Sequence, residues 1–337
     1  MTSLRHLFRP APVRAASPPQ LHVIVDTEEE FDWSAPFSRD SVGVTAIAEV
    51  WRLQDVLRPY ALKPTYVIDY PVAATASSAA TLGSFARTGE CEIGAHLHPW
   101  VNPPYVETLG NQNSYACNLG ADVEREKLLN LKTAIETNLG VTPRVYKAGR
   151  YGFGPTTADA LEQLGFDVDI SLNPHMDYST DGGPVFDGFE PVPLLFGRRR
   201  TLLELPCTTG FVGVARRYGE VLHRAASSPL CQRFKAVGIL ARSGMLNKIM
   251  LSPEGSTYEE MVSLTDTLFA DGVRSFAFTF HSPSLKPGCT RYVSTEQERD
   301  RFLDTIGRYC DYFMNRLGGV ASTPASLFDD WRRDNAA

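Results

Sequence analysis

Nothing in the 337 residues approaches the run of about 20 consecutive apolar side chains that a membrane-spanning helix needs. Basic residues are not in excess. The 33 Lys and Arg against 39 Asp and Glu give a net charge of −6, so there is no global cationic field to hold nucleic acid. Cysteine is sparse and unpatterned: Cys91, Cys117, Cys207, Cys231, Cys289 and Cys310 form no C-x-x-C pair and keep no regular spacing. In a chain of this size that predicts reduced thiols, not a disulfide framework. Residues 1–19 carry Arg5, Arg9 and Arg14 but no apolar stretch long enough for a secretory leader. The sequence therefore predicts a cytoplasmic protein with a flexible N-terminal tail. No internal repeat is visible. The length can bury a sizeable core without staples, either as two domains or as one α/β barrel with insertions.

The pattern along the chain favours the second. Leu21 to Val25 is a β-rich run that ends in the acidic cluster Asp26-Thr27-Glu28-Glu29-Glu30. Apolar residues at helical spacing follow over Val44–Leu57, and Pro64 to Ile68 reads as a strand. Cys91 to Ala95 is a short strand ending at His96. Asp122 to Leu139 is a helix with Leu128, Leu131, Ile135 and Leu139 on one face and Gly140 as its stop. Arg144 to Lys147 is a strand, Thr156 to Leu164 a helix, and Phe166 to Leu172 a strand. Residues 173–255, rich in Pro and Gly, read as an insertion, with a strand-like Thr201 to Leu205 inside it. Order resumes with the helix Thr257–Phe269, the strand Ser275–Phe280 and a closing helix over Thr295–Leu317. Strands alternating with helices predict a parallel α/β architecture in one domain over 20–320, followed by a C-terminal tail, 321–337.

The polar residues fall at the ends of these strands. Asp26 and Glu28 follow the first, His96 and His98 the third, and His281 the last; Arg150 comes just after another, and Asp169 sits within one. In a barrel of parallel strands those ends meet on one face. Carboxylates at i and i+2 share a side of extended backbone, so one of Asp26 and Glu28 can hold a metal while the other accepts a proton. His96 and His98, also two apart, can face one ion, and two imidazoles with a carboxylate suit zinc. His281 has the pKa of a general acid. Arg150 can pin a carboxylate base through a bidentate pair, and Asp169 can orient His281. Each feature alone also fits a bland role: an acidic turn, a buried histidine, a structural ion pair. Trp33, Trp100 and Tyr105 are candidates for lining an open sugar groove.

In this order the residues resemble the polysaccharide deacetylase superfamily (NodB homology, carbohydrate esterase family 4), and within it the WalW-like branch. The resemblance spans roughly Leu21 to Leu317 and is least in 173–255. It implies a distorted (β/α)7 barrel that removes N-acetyl groups from sugars with one divalent metal ion, most often Zn²⁺. It makes Asp26 the catalytic base, Glu28, His96 and His98 the metal ligands, Arg150 the residue that orients the base, and Tyr151 the source of an oxyanion-binding N–H. Asp169 corresponds to the fourth motif and His281 to the acid that protonates the leaving group. Three features differ from the family pattern: the histidines are two apart where four is usual, no proline follows Arg150, and the tryptophan of the fourth motif is absent after Asp169. The implied partner is an N-acetylated glycan or sugar conjugate, with surface-polysaccharide assembly the implied setting. Two rivals stay open: an amidase of the same fold acting on a small non-sugar substrate, and a carbohydrate-binding homologue without catalysis.

Overall fold

The structure is a computed structural model that describes residues 4–11, 17–228, 231 and 233–335. Its strands are β1 (Arg9–Pro10), β2 (Gln20–Thr27), β3 (Thr65–Ile68), β4 (Glu92–Leu97), β5 (Val145–Ala148), β6 (Val168–Asp169), β7 (Leu194–Phe196), β8 (Leu202–Glu204), β9 (Thr209–Val212), β10 (Asn247–Met250), β11 (Ser275–His281) and β12 (Val320–Ala321). The order β8-β6-β5-β4-β3-β2-β11 is parallel throughout. This is the seven-stranded wall of a distorted barrel, with an α-helix in each connection except that from β6 to β8. Antiparallel β7 and β1 extend the β8 edge.

Between β8 and β11 the barrel does not close by a regular ladder. The gap is spanned by two backbone bonds through Leu251, whose N–H donates to the Thr208 carbonyl (2.8 Å) and whose carbonyl accepts from Thr279 (3.1 Å). The Thr208 hydroxyl accepts from the Ala277 N–H at 2.8 Å. The stretch 173–255 is therefore more than an insertion. It supplies one strand of the wall, β8, and the segments that close the barrel; β9 and β10 form a separate antiparallel hairpin.

Strand alternation divides the core in two. Val23, Val25, Tyr66, Ile68, Tyr146 and Leu202 pack outward with the helices. Their neighbours Ile24, Val67, Val145, Val168, Leu203 and Ala277 fill the barrel interior. The helix Ala121–Leu139 buries Leu128, Leu131, Ile135 and Leu139 as their spacing predicts, and ends on Gly140 in the left-handed conformation. Capping boxes start the helices Tyr258–Ala270 (Thr257 with Glu260) and Glu296–Asp311 (Thr295 with Glu298).

Both stretches expected as tails carry structure. Leu4 is buried, and Arg9–Pro10 adds an edge strand to β7. At the other end a helix, Pro324–Asn335, places Ala325 and Phe328 in the interior cluster and so plugs the bottom of the barrel. Short apolar clusters within polar sequence carry these contacts, and composition alone reads such segments as tails.

Candidate active site

At the opposite, C-terminal end of the strands the interior row turns polar. In β2 the side chains of His22, Ile24 and Asp26 share the inner face, and Glu28 continues it. Asp26 lies directly beside His281 of β11 in the sheet register, and His96 of β4 lies beside Lys147 of β5. Five residues distant in sequence, Asp26, Glu28, His96, His98 and His281, are thereby brought to one cavity of about 1030 Å³.

Glu28, His96 and His98 form a three-donor cluster. The Nε2 atoms of both histidines are 3.4 Å from Glu28 Oε2. His96 lies inside β4 and His98 just beyond it in extended backbone, so the i, i+2 spacing puts both rings on one side, with centroids 4.6 Å apart. The other ring nitrogens are already engaged. His96 Nδ1 donates to the Lys147 carbonyl at 2.9 Å, and His98 Nδ1 to Glu29 at 2.7 Å. This leaves both Nε2 lone pairs aimed at Glu28, the tautomer a metal ligand requires. The set of two imidazoles and one carboxylate fits a divalent ion such as zinc with a position open for water.

The backing of His98 is itself built from buried acids. Glu29 also accepts from Trp100 Nε1 (2.8 Å), and its N–H donates to Asp69 Oδ2 (2.7 Å). Burial is the main reason both carboxyls are pushed up, Glu29 to about 8; the contact with Asp69 opposes the rise at Glu29 while the Glu28 charge adds to it, and Glu29 in turn raises Asp69. Close approach matters at Gly149, where a Cβ would lie 2.3 Å from the His98 ring. Burial lowers the pKa of His98, against the pull of Glu28, so its ring stays neutral.

Asp26 is gripped by Lys147, whose Nζ lies 2.7 Å from both carboxylate oxygens with both side chains buried. Burial alone would raise the Asp26 pKa, but Lys147, His96 and His281 outweigh it and hold the carboxyl below its usual value. His281 Nε2 is 3.6 Å from Asp26 Oδ2. Its Nδ1 bonds to Glu254 Oε2 at 2.5 Å, and its backbone N–H donates to Glu254 Oε1 at 3.1 Å. Burial works to lower the His281 pKa. The charges of Glu254, Glu28 and Asp26 overcome it and hold the imidazole well above its ordinary value.

Two expected residues lie elsewhere in the network. Arg150 does not pin Asp26. Three residues beyond Lys147 and past the strand end, it bonds to Ser114 and Asp181 and stacks 4.3 Å from the Tyr115 ring. Asp169 does not orient His281. Alternation sends Val168 and Ile170 into the barrel and Asp169 to the outer face, where it accepts from the Ser171 hydroxyl (2.6 Å) and lies beside Glu204. Their places are taken by Lys147 and Glu254. The strand position of Lys147, in step with inward-facing Val145, was a readable signal; Glu254 lies in a Pro-Glu-Gly turn that gave none. Of the three aromatic residues expected in a groove, Trp33 lines the cavity. Trp100 is buried and stacks on His98 (4.3 Å). Tyr105 binds the Val101 carbonyl and packs under Arg39; Tyr115, Tyr151, Tyr178 and Tyr292 line the cavity instead.

Arg150 and Tyr151 both adopt left-handed backbone, φ 54° and 60°. Two such non-glycine residues in succession at the end of β5 cost on the order of 1–3 kcal/mol each, a strain that proteins concentrate at functional sites.

The fold has solved counterparts. A Mycobacterium smegmatis protein assigned to the polysaccharide deacetylases is 17% identical, with TM-score 0.56 over 97% of this chain and 96% of that one. One from Pseudomonas aeruginosa PAO1, assigned likewise, is 14% identical, with TM-score 0.52 over 94% and 92%. The 4-alpha-glucanotransferase of Thermococcus litoralis is 10% identical, with TM-score 0.51 over 93% of this chain and 40% of that chain. No protein-family model and no curated protein sequence matches this chain. The distorted barrel is thus that of the solved polysaccharide deacetylases, and the same barrel also carries a glucanotransferase.

Proposed function

We propose that this chain is a metal-dependent hydrolase of the polysaccharide deacetylase superfamily, removing N-acetyl groups from an amino-sugar glycan or its precursor and releasing acetate. The observation that carries the reading is a carboxylate and an imidazole held face to face, Asp26 and His281, beside a cluster in which both histidines use Nδ1 for hydrogen bonds and keep the Nε2 lone pair for a ligand. A pure binding site needs neither. The cavity, about 1030 Å³ and rimmed by Trp33 and four tyrosines, suits a sugar ring better than a small amide.

Zinc held by Glu28, His96 and His98 would polarise the acetyl oxygen and acidify the attacking water. Asp26, kept ionised by Lys147, takes the proton from that water. The Tyr151 backbone N–H, on its left-handed turn, is the candidate donor to the developing oxyanion. His281, kept protonated by Glu254, gives its proton to the departing amine. Water adds across the C–N bond, leaving acetate and a free amino sugar. A cytoplasmic precursor of a surface polysaccharide is the substrate setting that this reading favours.

The test combines bound-metal analysis with acetate release from N-acetylated oligosaccharides. We expect about one equivalent of zinc, lost in His96→Ala and His98→Ala variants, and activity abolished in Asp26→Asn while zinc is retained. A protein that binds no divalent metal after reconstitution, or full activity in Asp26→Asn, overturns the assignment.

A further inference from the structure

A second feature lies outside the cavity, on the unit between residues 213 and 248. Here β9 and β10 form the hairpin, and a turn, the helix Gly219–Ala226 and the helix Ala236–Arg242 lie against it. The unit is tied at its base: Val214 N–H donates to the Gly244 carbonyl (3.3 Å) and Ala215 N–H to that of Met245 (2.9 Å). Gly219 sits so close to Phe211 that a Cβ would come within 2.3 Å of its ring.

What the helices show to solvent is unusual. The helix Gly219–Ala226 buries only Gly219 and Ala226, and the helix Ala236–Arg242 buries no residue. Val214, Tyr218, Val221, Phe234 and Ile239 stand 58% to 86% exposed. Nearly half of the large apolar side chains exposed among the described residues fall within this short stretch. The charge is equally lopsided: seven Arg and Lys between 214 and 248 stand against one acid, Glu220, in a chain of net charge −6. Arg216 and Arg224 are paired with acids. Arg217, Arg233, Lys235 and Arg242 are exposed and make no ion pair among the described residues.

We infer that this unit is a docking surface for an anionic lipid bilayer. Short helices with projecting aromatic and branched apolar side chains, interleaved with unpaired Arg and Lys, match the physics of interfacial binding: apolar insertion plus attraction to acidic headgroups. The apolar side chains project into solvent, so they suit a deformable surface. The unpaired cations would repel the same face of a second copy. The unit also abuts the cavity wall. Lys248 Nζ donates to the His175 carbonyl (3.1 Å), and the His175 ring lies 4.9 Å from Phe211, a few residues before the cavity-lining Tyr178 and Asp181. Docking would hold the cavity near the headgroups. The inference does not depend on the deacetylase reading.

Co-sedimentation of the full chain with vesicles tests it, using phosphatidylcholine alone and phosphatidylcholine doped with phosphatidylglycerol. We expect binding to the anionic vesicles only, weakened by salt. Each cation removed should cost about fivefold in partitioning, the equivalent of about 1 kcal/mol. Combining Arg217→Gln, Arg233→Gln, Lys235→Gln and Arg242→Gln should then cost on the order of several hundredfold. Val221→Ser and Phe234→Ser should each lower it on the order of tenfold. All six positions are exposed, and an unchanged thermal melt verifies folding. Absence of binding to anionic vesicles at low salt, or binding unmoved by the charge variant, overturns the proposal. So does a dimer in sedimentation equilibrium that Phe234→Ser converts to monomer, because the patch would then be a self-interface.

Discussion

Replacing Glu254 by Gln removes one charge and almost no volume, and it separates the acid's positioning from its packing. Glu254 meets His281 through two contacts, Nδ1 at 2.5 Å and the backbone N–H at 3.1 Å. The Gln side-chain oxygen can keep one of them. A hydrogen bond to a charged partner contributes about 1.5–3 kcal/mol, which at about 1.36 kcal/mol per pH unit is about one to two units. The His281 side chain is 35% exposed, so solvent screening favours the low end, about one unit. The direction follows from the proposed role. As a donor His281 must be protonated, its pKa is held high by Glu254, and weakening that hold lowers it. The alkaline limb of kcat/KM on an N-acetylated sugar should move down by about one pH unit in Glu254→Gln. Imidazole titration by NMR should report the same fall without turnover. Stability follows the same linkage. A raised imidazole pKa stabilises the fold fully below about 6.5, the unfolded value, and loses that contribution as pH rises through the folded value. The variant should therefore be less stable than the parent at acid pH and should converge with it at alkaline pH. An unmoved limb, or a limb that moves instead in Asp169→Asn, refutes the reasoning.

Lys147→Met should destabilise the protein by about 3–5 kcal/mol at neutral pH, because it leaves the buried Asp26 charge without its bidentate partner. Asp26 now has a lowered pKa and stabilises the fold above about 3.9, its unfolded value, a contribution lost as pH falls through the folded value. Without Lys147 that pKa rises, so the deficit should grow from acid to neutral pH in urea melts; adding Asp26→Asn should recover most of it, and no recovery sinks the pairing. Phe328→Ala should cost about 3–5 kcal/mol through the cavity left at the barrel's bottom, lowering the melting temperature with zinc content unchanged. An unchanged melt would mean that the C-terminal helix contributes nothing to the fold.

The parallel α/β architecture was legible because most barrel strands are short apolar runs followed by a helix with regular spacing and a stop. The convergence of Asp26, Glu28, His96, His98 and His281 on one cavity was legible for a related reason: polar groups at the ends of buried strands have few places to go but one rim. Their partners were not. Asp169 and Arg150 had the right chemistry, but strand register decides which side chains face inward. Asp169 is one residue out of step with Val168 and Ile170, and Arg150 lies beyond the last ladder pair of β5, Leu97 with Ala148. Glu254 and the closing residues Thr208 and Leu251 sit in irregular backbone, where periodicity carries no information. The tails were misjudged because composition averages over segments whose few apolar residues, Leu4, Ala325 and Phe328, are the ones that pack.

Depth in the barrel also explains why the His96, His98 and His281 cluster sits at one end. His22 and His281 lie on adjacent strands and face the same interior. Burial drives His22, near the apolar floor, down to about 3, with only the nearby Ser322 backbone opposing it, so its ring is neutral at any working pH. Burial acts on His281 in the same direction, yet three carboxylates reverse it. The same side chain is neutral at one height and cationic at another because three carboxylates surround His281, whereas among the described residues none is a cause of the shift at His22, below the Ile24–Val67–Val145 layer. Moving a proton-transfer group downward by one inward position would therefore remove its charge partners as well as its access to substrate. The convergence of Asp26, Lys147, Glu254 and His281 at the rim is a consequence of that layer as much as of the loops above it.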